Sequence, residues 1–134
     1  MTATYKTKYG IGTDVDMSYD EAVEKVTEAL KSEGFGVLTT IDVQKTLKEK
    51  IDVDRPKYVI LGACNPQFAH QALETEPDIG LLLPCNVVVY EQDGKTRVAA
   101  MDPEAALSLA ENDQIAPVAR EVRERIERVI AQLG

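Results

Sequence analysis

No stretch of this 134-residue chain approaches the roughly 20 consecutive apolar residues that a membrane helix needs. The opening Met1-Thr2-Ala3-Thr4-Tyr5-Lys6 lacks the apolar centre of a signal peptide. A cytosolic protein that does not associate with membranes is therefore expected. Cysteine is scarce: two residues are too few for a disulfide framework, and a reducing compartment keeps both as thiols. Positive charge is outweighed, with 15 Lys and Arg against 23 Asp and Glu and a net charge of −8. Such a surface repels a phosphate backbone, which argues against nucleic acid as a partner.

The common catalytic signatures are missing too. Gly10-Ile11-Gly12 lacks the third glycine and the strand-to-helix setting of a phosphate-binding loop. No serine sits in a nucleophile elbow, and the acids are scattered over helix starts and solvent faces. The single histidine, His70, follows Cys64 by six residues, which fits no standard zinc spacing, so neither a metal nor a cofactor is expected.

What is present is an average globular composition, 44% hydrophobic and 28% charged, sized for one domain over residues 1–134. Alternation over 4–14 predicts a half-buried strand, with Gly10 and Gly12 marking a bulge or a close approach. Ser18-Tyr19-Asp20-Glu21 is a capping box opening a helix that carries Ala22, Val23, Val26, Ala29 and Leu30 on one face, with Gly34 as its left-handed end. A strand over 35–41 follows. Asp42 then caps a short helix with Val43, Leu47 and Ile51 turned inward and a solvated Lys45–Lys50 face. Asp54-Arg55-Pro56 turns into a strand over 57–63.

That strand and the runs 81–83 and 87–89 are apolar without alternation, the pattern of strands covered on both faces. Asp93-Gly94 between the strands around Val88 and Val98 is a hairpin turn. Asp102-Pro103 starts another helix, broken at Asn112-Asp113. The last helix has Pro117 in its first turn and Val118, Val122, Ile126, Val129, Ile130 and Leu133 as one stripe. Glu121–Arg125 and Glu124–Arg128 are spaced for ion pairs on its outer side. The predicted order is β-α-β-α-β-α-β-β-α-α.

Chemistry concentrates at Gly62-Ala63-Cys64-Asn65-Pro66 and its echo Leu83-Pro84-Cys85-Asn86. Asn65-Pro66 is a helix start, so Cys64 lies between a strand end and a helix amino terminus, whose positive end would lower the thiol pKa. If 57–63 and 80–83 are parallel neighbours joined by a helical crossover, Cys64 and Cys85 share one rim with Asn65 and Asn86. Pro84 marks an edge, a bulge or a break. The expected site is thus Cys64 and Cys85 as reacting thiols, with Asn65, Asn86, Pro84 and His70 as ligand-binding neighbours; two small buried hydrophobes are the plainer reading of the cysteines.

The same segments, with Ala69, Ala72, Leu73 and the run to Tyr90, resemble the bacterial and archaeal family called domain of unknown function 302 over nearly the whole chain. The resemblance implies a small α+β domain like a single copy of the TATA-binding-protein fold with added helices, forming dimers. It assigns no activity. The expected fold is α+β, a mixed or antiparallel sheet with helices on one face; the alternative is an α/β three-layer arrangement. The expected function is a dimeric small-ligand or thiol-reactive module. The alternatives are a thiol redox enzyme, with Cys64 attacking and Cys85 resolving, and a structural or regulatory subunit binding a protein partner.

Overall fold

The computed structural model describes residues 4–134, which form one six-stranded sheet in the order β1-β2-β6-β5-β4-β3, antiparallel throughout. The strands are β1 (Thr4–Lys6), β2 (Gly10–Val15), β3 (Gly36–Asp42), β4 (Tyr58–Cys64), β5 (Cys85–Gln92) and β6 (Lys95–Met101). Five α-helices connect them: α1 (Tyr19–Ser32), α2 (Val43–Ile51), α3 (Pro66–Thr75), α4 (Pro103–Leu107) and α5 (Ala116–Leu133). This is the expected α+β class; the three-layer alternative does not occur.

Caps lie where the sequence puts them. The Ser18 hydroxyl accepts from the Glu21 amide at 3.2 Å, Asp42 from Lys45 at 3.0 Å and Asn65 from Phe68 at 3.3 Å. Gly34 takes φ +86 behind α1, and Asp93 and Gly94 both take positive φ in the β5–β6 hairpin. Each is a position where an ordinary side chain would be strained or where free amides need an oxygen.

The core lies between α1 and α5 and one face of the sheet. Inward residues alternate along the strands: Ile11, Thr13 and Val15 on β2, Val59, Leu61 and Ala63 on β4, Val87 and Val89 on β5, Val98 and Ala100 on β6. They meet Val26 and Leu30 of α1 and Val122, Ile126, Val129 and Ile130 of α5. Each fully buried aliphatic side chain contributes about 1.5–3 kcal/mol of transfer free energy. A satellite cluster of Ala72, Ile79, Leu107, Ile115 and Ala119 ties α3 and α4 to α5.

Several expectations are corrected. Residues 4–14 form a tight hairpin, β1 and β2, rather than one strand. Leu81–Leu83 is not a strand: Pro77–Leu82 is a 3-10 turn with Leu81 solvent-exposed, and β5 starts only after Pro84, which supplies no ladder donor. There is consequently no parallel pair, because β4 and β5 run antiparallel. Strands β4 and β5 are covered on one side only; their other apolar residues, Ile60 and Val88, are half-buried. Helix α2 buries nothing, and Ile51 is exposed, as is Leu73 of α3. Arg125 does pair with Glu121 at 3.2 Å, but Arg128 reaches Glu33 at 2.9 Å instead of Glu124.

Candidate functional site

The pleat of β5 separates the expected site residues. Cys85 stands opposite Ala63 and faces the helices, while Asn86 stands opposite Gly62 on the uncovered side. Cys85, Cys64, Asn65 and Pro84 all line one apolar cavity with Phe35, Phe68 and Val122. Both cysteines reach the same edge because β4 ends at Cys64 and the antiparallel β5 begins at Cys85, not through the parallel crossover. They are two free thiols in one lining rather than a bonded pair. His70 is exposed and Asn86 lines a different hollow. Among the described residues no cluster of His, Cys, Asp or Glu could hold a metal ion.

Burial decides the chemistry of these thiols. Desolvation raises the Cys64 pKa, and it pushes Cys85 up to about 11, with Cys64 adding a smaller increment. The helix-end effect expected to lower Cys64 is outweighed. The cavity measures about 30 Å³, the share of one water molecule in the liquid, and leaves no space for an organic substrate.

The uncovered side of the sheet holds a groove of about 780 Å³. Cross-strand partners share a face, so its floor is read in transverse rows. One row is Asp14, Arg97, Tyr90 and Tyr58, in register across β2, β6, β5 and β4. The next is Gly12, Ala99, Val88 and Ile60. Beyond it Gly10 pairs with Met101 and Asn86 with Gly62. A wall of bulky polar residues therefore borders a floor of small ones. Tyr5 of β1 folds over Gly12, where a Cβ would come within 2.5 Å of its hydroxyl.

The wall is interlocked. Tyr58 and Tyr90 stack with ring centroids 5.1 Å apart, Arg97 lies over Tyr5 at 4.7 Å, and Arg55 over Tyr58 at 5.0 Å. Arg97 Nε donates to Asp14 Oδ1 at 2.6 Å, and that hydrogen bond holds the Asp14 carboxyl below the usual range. Burial, with Tyr90 beside each, raises Tyr5 and Tyr58, so both stay neutral O–H donors at pH 7. Lys8 and Tyr9 of the β1–β2 turn, with Ala105, Ala106 and Leu109 after β6, complete the rim. Residues Tyr5, Tyr58, Tyr90 and Arg97 were missed in the sequence. The signal available was the hairpin register, which sets Tyr90 opposite Arg97 once the Asp93-Gly94 turn is fixed.

Residues 11–133 match the family described as Domain of unknown function DUF302. The chain belongs to that family. The crystal structure of an uncharacterized conserved DUF302 protein from Bacillus stearothermophilus superposes with a TM-score of 0.89 at 30% identity, covering 96% of this chain and 100% of that one. No curated protein matches. The DUF302 span runs from the second residue of β2 into α5, and so takes in most of the floor and wall of the groove, while Tyr5, Lys8, Tyr9 and Gly10 precede it.

Proposed function

We propose that this DUF302 chain is a non-catalytic binding module that holds a small organic ligand in the groove on its uncovered sheet face. The observation that supports this is the groove itself. Its volume of about 780 Å³ falls in the range of small-molecule sites, and four of the chain's five tyrosines line it. Tyrosine gives a large flat contact at little conformational cost and keeps a hydrogen-bonding tip. The thiol-redox reading has less support: a thiol with a pKa of about 11 is ionised to roughly one part in ten thousand at pH 7. In our reading Cys64 and Cys85 pack the joint between the sheet and helices α3 and α5, and two free thiols suit a cytosolic setting.

The test uses the neutral fluorescent probe N-phenyl-1-naphthylamine with the full chain. Saturable binding at one site, lost in Ala99→Trp with the fold intact by circular dichroism, supports the reading. Unsaturable binding, or binding that Ala99→Trp leaves unchanged, sinks it.

A dimer is part of the proposal on a separate observation. Edge strand β3 leaves Leu38 67% and Ile41 48% exposed, an apolar edge that soluble proteins rarely leave bare. We assign a second copy of the chain to that edge. Sedimentation equilibrium should give a dimer for the native chain and a monomer for Leu38→Lys; a native monomer at micromolar concentration overturns it.

A further inference from the structure

The lining of the groove is unlike the rest of the molecule in charge. The chain carries 23 acidic residues and a net charge of −8, yet among the described residues no carboxylate lines the groove, whereas Lys8 and Arg97 both do. The nearest acid in the transverse row, Asp14, is engaged by Arg97 Nε. A guanidinium carries five N–H donors; one goes to Asp14, another is engaged with Tyr90, and the plane of the group lies over Tyr5 at the edge of the groove. Arg97 remains about a third exposed there and Lys8 is exposed. Next to these cations the floor is apolar: Gly10, Val88, Ala99 and Met101.

From this juxtaposition we infer that the ligand is a flat aromatic carboxylate, its ring on the Val88–Ala99 floor against the tyrosines and its anionic group toward Arg97 and Lys8. This deepens the binding reading above and rests on it. Charge complementarity selects the anion: an ammonium would meet like charge at Arg97 and Lys8. Planarity follows from the floor, where side chains no longer than valine and methionine lie between the tyrosine wall and the Ala105–Leu109 rim. The neutral phenol of Tyr58 adds a donor beside the groove.

The experiment compares three probes of one shape by calorimetry on the full chain: naphthalene-2-carboxylate, naphthalene-2-carboxamide and 2-naphthylmethylammonium. At low ionic strength the carboxylate should bind about tenfold tighter than the amide, with the cation weakest, and the preference should shrink with added salt, as expected for charge-assisted contacts at a partly exposed site. Arg97→Gln should remove the preference for the carboxylate over the amide. Because that variant also releases Asp14, Lys8→Gln is the second arm; Lys8 is exposed, and its loss should narrow the preference for the carboxylate over the amide a few-fold. Equal binding of all three probes leaves the groove a ligand site and overturns the anion assignment. Binding of none, or decanoate displacing the carboxylate with equal affinity, overturns the aromatic class; with the phenylnaphthylamine test also negative, the binding module itself falls.

Discussion

Cys85 and Asn86 are neighbours in the chain, yet they line two hollows of opposite character on the two sides of the sheet. On the helix side the hollow is small and apolar, of about 30 Å³, with thiols that burial keeps protonated. On the other side it is open, of about 780 Å³, with tyrosines, an arginine and a lysine around small residues. The difference comes from the two-residue period of a strand: one register step moves a side chain from the packed core to solvent. Sequence adjacency at Pro84-Cys85-Asn86 thus says little about shared chemistry.

The contrast can be broken most severely on β4, where Leu61 and Ile60 point to the two sides. Leu61→Ala, in the 2% exposed core position, should cost about 2–5 kcal/mol in urea unfolding, while half-buried Ile60→Ala should cost about 1 kcal/mol or less. Equal costs would mean the uncovered face is covered in solution. The small hollow should next reveal itself at alkaline pH. Burial raises the Cys85 pKa to about 11 in the folded chain, so its contribution is complete below the ordinary thiol pKa and is lost as pH rises toward 11. The sum of that loss is roughly 2–3 kcal/mol by linkage, and Cys85→Ala should flatten the slope that it causes, leaving the slope from the raised tyrosines.

The open side should respond more weakly. Asp14 has its pKa lowered by Arg97, so its stabilisation is present above the unfolded carboxylate pKa and fades as pH falls through the folded value. Both side chains are about a third exposed, which screens the pair; Asp14→Asn should cost about 1 kcal/mol or less at pH 7, and less as pH falls below the ordinary carboxylate range. A larger loss at pH 7 would show that the wall is part of the core. In alkylation with iodoacetamide at pH 7, both cysteines should react far more slowly in the native than in the unfolded protein.

Much of this fold was legible locally. Ser18, Asp42, Asn65 and Asp102 each announce a helix, and the Asp93-Gly94 turn fixes the one register that can be read without coordinates. Helix α5 was legible because its stripe has the 3.6-residue period and a Pro in the first turn. Strand direction was not. The apolar run before Pro84 looked like a strand because leucine carries no sign of whether it will be buried, and Leu81 is not. Helix α2 misled for the same reason: Val43 and Leu47 have the right spacing but reach only half-burial, and Ile51 is exposed. The cysteine cavity was half legible: Cys64, Cys85, Asn65 and Pro84 share its lining, Asn86 and His70 do not, and no parallel crossover joins the strands. The groove was illegible, since Tyr5, Tyr58, Tyr90 and Arg97 lie on four strands whose order only tertiary pairing supplies.

Strand β1 spans three residues and is held to β2 through three pairs, one of which sets Tyr5 over Gly12. The phenol occupies the volume that a side chain at position 12 would claim. A single added methyl group there would lift the ring from the sheet and strip Arg97 of its stacking surface. The shape of the whole trough therefore depends on an atom that the chain leaves out.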